Sequence, residues 1–217
     1  MKSDTDVRRD VEAELKWSPE IDETDIAVKV NDGAVALSGF ARNLFEKHHA
    51  EVVAKRVVGV AAVANDLEVR RPGDDRPTDP ELAREALAAI KHELPMSWDK
   101  IQPVVHEGRL FLEGTVEWNF QRERAENAVR KIKGVWHVRN SVKVKPMIPV
   151  QDIKEKIEAA FKRSAEFDSR QVTVDTAGSE VILRGEVRSW AERDQAQASA
   201  WSAPGVTQVH NQISVRI

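Results

Sequence analysis

Val7, Val11 and Leu15 fall at i, i+4 and i+8 with charged residues between them, the period of an amphipathic helix. Leu82, Ala86 and Ile90 have the same spacing, as do Ile153, Ile157 and Phe161. Asp79-Pro80 is expected to open the second of these helices, with the Asp79 side chain as cap and proline at the first helical position. The pattern then changes to alternation. Ile26-x-Val28-x-Val30 and Val35-x-Leu37 each place their apolar side chains on one face of a strand, and Asn31-Asp32-Gly33 between them supplies the positive φ of a tight hairpin. Val105, Glu107-Gly108 and Leu110-x-Leu112 read in the same way, and so do Val172-x-Val174, Ala177-Gly178 and Val181-x-Leu183. Gly39, Gly114 and Gly185 keep the phase of the second strand, since Ala41, Val116 and Val187 lie two residues beyond them on the apolar face. A strand glycine of this kind is expected to admit a bulge or the close approach of a packed helix.

Asn43-x-x-Glu46 and Ser189-x-x-Glu192 have the form of capping boxes, with Trp118 standing at the middle copy's capping position. They open a second helix that turns Ala50, Ala125 or Ala196 inward and ends at Gly59-Val60, Gly134-Val135 or Gly205-Val206. Val63-x-Asn65-x-Leu67-x-Val69, Val138-x-Asn140-x-Val142-x-Val144 and Val209-x-Asn211-x-Ile213-x-Val215 close each copy as a strand. Gly33, Gly108 and Gly178 are matched across the copies, with one extra residue before the second glycine in the third. Each copy is about 65 to 70 residues, too long for a stacked solenoid unit and long enough for a small core of its own. The reading is therefore α+β: three tandem α-β-β-α-β domains over 1–71, 79–145 and 149–217. A right-handed crossover makes each a three-stranded mixed sheet with two helices on one face. Residues 71–78 read as a polar, mobile linker and Pro146-Met147-Ile148-Pro149 as a short stiff one, so the first domain is expected to move more freely than the third relative to the second.

Composition narrows the chemistry. The 217 residues include no cysteine, which excludes disulfides, a thiolate nucleophile and zinc-thiolate sites. Net charge is −3 and uneven: residues 1–75 carry 11 Lys+Arg against 16 Asp+Glu, whereas 79–145 carry 12 against 10. An acidic first domain argues against nucleic-acid partners, which need a concentrated basic face. No apolar run suits a signal core or a membrane span, so the expected location is the cytoplasm, at the membrane periphery, or the periplasm if Met1 is not the native start.

The glycine spacings, the Gly-Val pairs and the Val-x-Asn-x-(Leu/Val/Ile)-x-Val strands resemble the BON domain, named for bacterial osmotically inducible and nodulation proteins. The resemblance covers nearly the whole chain in three copies. It implies the same α-β-β-α-β fold, a non-enzymatic role with no cofactor, and attachment to phospholipid membranes under osmotic or envelope stress. Some relatives bind potassium together with a LysM module, which this chain lacks, so small-cation sensing rests on analogy alone.

The residues contain no catalytic constellation. His48, His49, His92, His106, His137 and His210 do not recur at equivalent positions and form no zinc-binding motif. Asp22, Glu23 and Asp25 offer oxygen ligands for a cation, although an acidic loop is more often only solvated. Asn65, Asn140 and Asn211 recur in every copy and are assigned to the fold with Gly33, Gly39, Gly59, Gly108, Gly114, Gly134, Gly178, Gly185 and Gly205. The six tryptophans do not share repeat positions, so the fold does not demand them. Trp98, Trp118 and Trp136 lie in the basic middle copy, and with Lys100 and Arg122 they form the candidate surface for an anionic phospholipid headgroup layer. Against this stands burial of two of the three in the core or between domains. The rival partner is another protein, a client held in an apolar groove between domains.

Overall fold

The computed structural model describes residues 2–69, 77–146, 152–163 and 171–216. The first repeat runs α1 (Asp4–Trp17), β1 (Ile26–Asn31), β2 (Ala34–Ala41), α2 (Leu44–Lys55) and β3 (Ala62–Val69). The second runs α3 (Asp79–Glu93), β4 (Ile101–His106), β5 (Arg109–Val116), α4 (Asn119–Arg130), β6 (His137–Asn140) and β7 (Lys143–Val144). The third runs α5 (Ile153–Arg163), β8 (Val172–Ala177), β9 (Glu180–Val187), α6 (Trp190–Trp201) and β10 (Gln208–Val215). Adding 75 to a number in the first repeat gives its counterpart in the second, and a further 71 that in the third, as Gly39, Gly114 and Gly185 show.

β2 pairs antiparallel with β1 and parallel with β3, and β9 stands in the same way between β8 and β10. In the second repeat β5 is central, and its parallel partner comes in two pieces, β6 and β7, with the Ser141 N–H bonded to the Leu112 carbonyl (2.8 Å) between them. The α+β reading holds for each repeat. By contact the chain divides into two compact units, the residues up to Glu113 with Arg124–Ser141, and Gly114–Glu123 with Val142–Arg216.

The predicted stripes are the buried ones. Val7, Val11 and Leu15 join Val35, Leu37, Ala50 and Leu67 in one core, and Ile157, Phe161, Leu183, Ala196 and Ile213 do so in the third repeat. Each fully buried Leu or Ile contributes about 1.5–3 kcal/mol relative to leaving it in water.

Three local readings change. The cap of α3 is Thr78, not Asp79, with the Glu81 carboxylate accepting from the Thr78 N–H (2.7 Å) and hydroxyl (2.8 Å), and Pro80 is the second helical residue. The Asp79 carboxylate is engaged elsewhere, accepting from the N–H groups of Glu107 (2.7 Å) and Gly108 (3.0 Å) at the hairpin tip, as Asp4 does for Asp32 (2.9 Å) and Gly33 (3.0 Å). Gly178 is not the structural counterpart of Gly33 and Gly108. In those hairpins both central residues have positive φ (Asp32 49°, Gly33 74°; Glu107 51°, Gly108 72°), whereas in the third only Gly178 does (62°), and Ser179 takes the second place. The shared bonds settle the register, since Ala61, Trp136 and Thr207 donate to the carbonyls of Gly33, Gly108 and Ser179. Two positive φ values suit a type I′ turn and one at the first place a type II′ turn.

The strand glycines do serve a close approach, but of the adjacent strand's entry and not of a helix. A Cβ on Gly39 would lie 2.0 Å from the Asp25 carbonyl oxygen, and one on Gly185 1.9 Å from that of Gln171. The linker expected over 71–78 lies, through residue 76, outside the described residues, as do residues 147–149 of the second linker.

Candidate functional site

The loop after helix one presents apolar groups to solvent in both repeats where it is described. α1 ends at Trp17, 85% exposed, after Lys16. After α3, Leu94 turns inward and Met96 is 91% exposed. Trp98 follows, half-buried, with the Lys91 ammonium 5.1 Å from its ring centroid, and Lys100 is exposed.

Trp136 belongs to the hairpin tip. Its Nε1 donates to the Glu107 carbonyl (2.8 Å), the Arg109 guanidinium lies 4.8 Å from its ring, and a Cβ on Gly108 would meet it at 3.0 Å. Here glycine is required by space as well as by φ. The Asp79 carboxylate beneath is held below its ordinary pKa by the Gly108 and Glu107 N–H groups.

The second helix carries most of the polar organisation. Glu46, 1% exposed, accepts from the Asp22 N–H (2.7 Å), the Arg42 N–H (2.5 Å) and the Arg42 Nε (2.9 Å), while Asn43 Oδ1 accepts from the Glu46 N–H (2.8 Å). Burial pushes the Glu46 pKa up, but the bonds from Arg42 and Asp22 outweigh it and leave the carboxyl below its usual range. In the third repeat Ser189 and Glu192 repeat the arrangement, the carboxylate reaching the Arg188 N–H (2.8 Å). At Trp118 the side-chain cap is absent, and Gln121 Oε1 alone receives the N–H groups of Glu117 (3.1 Å) and Trp118 (3.0 Å).

The repeated asparagines tie the last strand to this helix. Asn65 Nδ2 donates to the Lys47 carbonyl (2.7 Å) and Asn211 Nδ2 to that of Arg193 (3.3 Å), and Oδ1 of each accepts from the N–H two residues on. Asn140 donates to Glu126 (3.0 Å), the counterpart of Gln197, to which Asn211 donates (3.0 Å). These contacts are partly local, as the sequence suggests, and partly across to the helix.

Two places on the second helix meet a neighbouring repeat. At one, Lys131 Nζ stands 4.7 Å from the Phe45 ring centroid, and His48 faces Arg130, Glu51 and Glu126. Loss of water around the ring, which disfavours the charged form, and then the Arg130 charge lower the His48 pKa against the opposing carboxylates of Glu51 and Glu126. At the other, Trp118 (38% exposed), Phe120 (49%), Glu123, Ala198 and Trp201 line a cleft of about 410 Å³, with the Arg122 guanidinium 4.9 Å from the Trp201 ring. Asn119 is buried there; its Nδ2 donates to Glu123 (2.6 Å) and its Oδ1 finds no acceptor partnership among the described residues.

The five residues proposed for lipid thus divide among three settings: Trp98 and Lys100 on the loop after α3, Trp136 on the hairpin tip, Trp118 and Arg122 at the cleft. Asp22 bonds Thr24 locally, and no group of three or more His, Asp or Glu among the described residues is placed to hold a metal ion.

The sequence profile of the BON domain matches residues 3–71, 78–146 and 149–217. The chain belongs to the BON-domain family. Osmotically-inducible protein Y of Escherichia coli (strain K12) is 32% identical over 150 residues, which cover 65% of this chain and 73% of that protein. Among solved structures, CdsD, a structural protein of the type III secretion system of Chlamydia trachomatis, aligns at 15% identity over 97% of this chain and 92% of that one, with a TM-score of 0.27. A C-terminal domain of CdsD aligns at 14% over the whole of both chains, again at 0.27. At that score the likeness carries no argument.

Within the BON repeats the sequence reading passes over one position. Lys47, Arg122 and Arg193 correspond, and Lys47 Nζ bonds the Leu67 carbonyl (2.6 Å) as Arg193 bonds those of Ile213 (3.1 Å) and Asn211 (3.2 Å). A cation at one place in all three copies was a signal available from alignment, and Arg122 is the copy whose guanidinium stands against the Trp201 ring of the next repeat. Trp17 and Met96 gave no such signal, because exposure cannot be read from a loop residue's type.

Proposed function

We propose that this chain is a non-catalytic, stress-related BON-domain protein that docks on anionic phospholipid surfaces through the loop after α3. The observation that carries the reading is Met96, 91% exposed beside the half-buried Trp98 and its cation Lys91, with Lys100 exposed close by. Such a loop suits the headgroup layer: the thioether enters apolar material, the indole sits at the boundary, and each lysine adds on the order of 1 kcal/mol near anionic lipid. Trp17 after Lys16 offers a second contact of the same kind, and two tethered contacts raise avidity. The stress-related part is supported by the identity with osmotically-inducible protein Y. Trp118, Arg122 and Trp136 are left to the cleft and the hairpin. No helix among the described residues is long and apolar enough to cross a membrane, so this docking is peripheral.

Co-sedimentation with vesicles of anionic and of neutral lipid, at low and moderate salt, tests the reading. Pelleting only with anionic vesicles, weakened by salt and by Met96→Glu, with a blue shift of Trp emission, is the expected result. Pelleting with neither vesicle type, equal pelleting with both, or binding indifferent to Met96→Glu, overturns it.

A second reading, a soluble module that holds an apolar client segment, is favoured by the groove between α5 and α6, about 400 Å³ and walled by Ala159, Ala160, Ala203 and Pro204 with Lys156 and Arg163 at its rim. Competition by a short apolar acidic peptide for an environment-sensitive dye in that groove distinguishes it from lipid docking.

A further inference from the structure

Three aromatic side chains and one buried amide meet at the cleft of Trp118, Asn119, Phe120, Glu123, Ala198 and Trp201, all of them within the compact unit of Gly114–Glu123 with Val142–Arg216. The amide departs from the repeat. Where the first copy has Asn43-Leu44 and the third Ser189-Trp190, the second has Trp118-Asn119, so the polar and the apolar residue have changed places. Asn43 and Ser189 accept from an N–H three residues on and cap their helices, whereas Trp118 has no side-chain oxygen, and Gln121 serves the Glu117 and Trp118 N–H groups instead. The exchange thus gives up a side-chain cap and sets an amide where the other copies have Leu44 and Trp190.

That amide ends with one atom unpaired. Asn119 is 3% exposed. Its Nδ2 donates to Glu123 Oε1 (2.6 Å), and since a carboxylate only accepts, this bond fixes which way round the amide lies. The oxygen is left as an acceptor, and no described residue donates to it. Ser202, also on the wall, supplies no donor, because its hydroxyl is given to the Ala198 carbonyl (2.9 Å). A buried acceptor without a donor is unfavourable, so the cleft carries a demand for an N–H or O–H group that the neighbouring side chains do not meet.

We propose that the cleft binds a small, planar, uncharged aromatic molecule that carries an N–H or O–H donor. The donor satisfies Asn119 Oδ1, and the ring packs among Trp118, Phe120 and Trp201, whose faces favour offset or edge contacts with another aromatic. The cleft's volume of about 410 Å³ is within the range of small-molecule sites, about 300–1,000 Å³. Net charge on the ligand gains nothing. Glu123 lines the cleft, while the Arg122 guanidinium stands 4.9 Å from the Trp201 ring and the N-terminal end of α4 is electropositive, so either sign meets opposition as well as attraction. The oxygen is shielded from bulk water, and the donor reaches it as the Trp118 ring, 38% exposed, turns aside. The site shares no residue with the loop after α3, so it stands or falls separately from lipid docking.

Heteronuclear NMR titration of the full chain with indole and with N-methylindole tests the proposal, since the two share a ring system and only the first donates. Indole should shift the Asn119 side-chain amide and the Trp118 and Trp201 ring N–H signals, and bind roughly tenfold more tightly than N-methylindole, the order of one hydrogen bond to an otherwise unpaired buried acceptor. Asn119→Leu, which installs the residue type of Leu44, should bring indole down to the affinity of N-methylindole without lowering Tm, whereas Trp118→Ala should weaken both probes alike. Equal affinities for the wild-type chain, or no shift at Asn119 and Trp201 with either probe, overturn the proposal. An Asn119→Leu variant that keeps the preference for indole also overturns it, and one that melts well below wild type returns the amide to the fold.

Discussion

Glu46 gives the sharpest test of how these repeats are held together. Replacing it with alanine removes the acceptor of two backbone donors, the N–H groups of Asp22 and Arg42, and of the Arg42 side chain. Each N–H left in a buried place without a partner costs about 1–3 kcal/mol. The guanidinium is more than half exposed, so water replaces most of what it loses and it adds little. Glu46→Ala is therefore expected to cost about 3–5 kcal/mol, the middle of the range for two such donors left unsatisfied. For a chain of this length that is a fall in Tm of roughly 6–20 °C, read by calorimetry with the transition of the first repeat assigned by hydrogen exchange. Glu46→Gln keeps an acceptor oxygen, which Gln121 uses for the N–H of Glu117, the counterpart of Arg42, and should lose no more than about half as much. The folded pKa of Glu46 is lowered, so its contribution is present above the ordinary carboxylate pKa, about 4.3, and is lost as pH falls through the lower folded value. Glu46→Gln should remove that part of the acid sensitivity. The reasoning fails if the alanine variant melts within a degree or two of wild type, or if the glutamine variant is as damaged as the alanine one.

Gly185→Ala is expected to destabilise by more than about 3 kcal/mol, since both the positive φ and the Gln171 carbonyl oppose a side chain, and a calorimetric change below about 1 kcal/mol would contradict this. His48 should titrate below the ordinary histidine range in a proton NMR titration; because the neutral form is favoured in the folded state, its contribution is present above the ordinary pKa, about 6.5, and is lost as pH falls from there through the lower folded value. Arg130→Ala should bring the His48 pKa back towards the ordinary value, and no movement would remove the cause assigned to it. Asp79→Ala should speed amide exchange at Glu107 and Gly108 without melting α3, whose cap is Thr78; exchange unchanged at those two amides would show that the carboxylate does not hold the hairpin.

Periodicity was sufficient for the helices, whose stripes such as Val7, Val11 and Leu15 are buried, and for the strands, whose apolar positions are buried or, like Ile26, Val30 and Val63, partly buried against the core. Spacing was sufficient for the repeat, and Asn65 and Asn211 each donate to a carbonyl of the second helix of their own repeat. What escaped the sequence is chiefly side-chain competition. Asp79 has the right type and place for a cap, but two hairpin N–H groups 28 and 29 residues away claim its carboxylate, and residue type alone does not rank a near donor against a distant one. The third hairpin was misaligned because glycine was matched to glycine, whereas a positive φ moved from the second turn position to the first and glycine moved with it. The tryptophans looked like a single set because they share a residue type and a basic neighbourhood. Trp136 is engaged by a carbonyl that only the folded hairpin delivers, and Met96, whose exposure changes the candidate surface, carries no mark in a sequence.

Comparing the repeats with one another separates two kinds of position. Those that agree, Asn65 with Asn211 or Lys47 with Arg193, tie the repeat's own second helix to its own last strand, and their bonds would be the same in a solitary domain. Those that disagree lie at the two ends of the second helix: Asn43, Trp118 and Ser189; Phe45, Phe120 and Ala191; Lys55, Arg130 and Trp201. Part of the difference lies in the neighbours, since Lys131 meets the Phe45 ring and Trp201 the Arg122 guanidinium, whereas Asn43 and Ser189 accept from equivalent N–H groups of their own helices. Trp201 is set against Arg122 and Phe120, and Lys131 against Phe45. The ends of the second helix, more than the shared core, therefore distinguish this chain from three identical repeats.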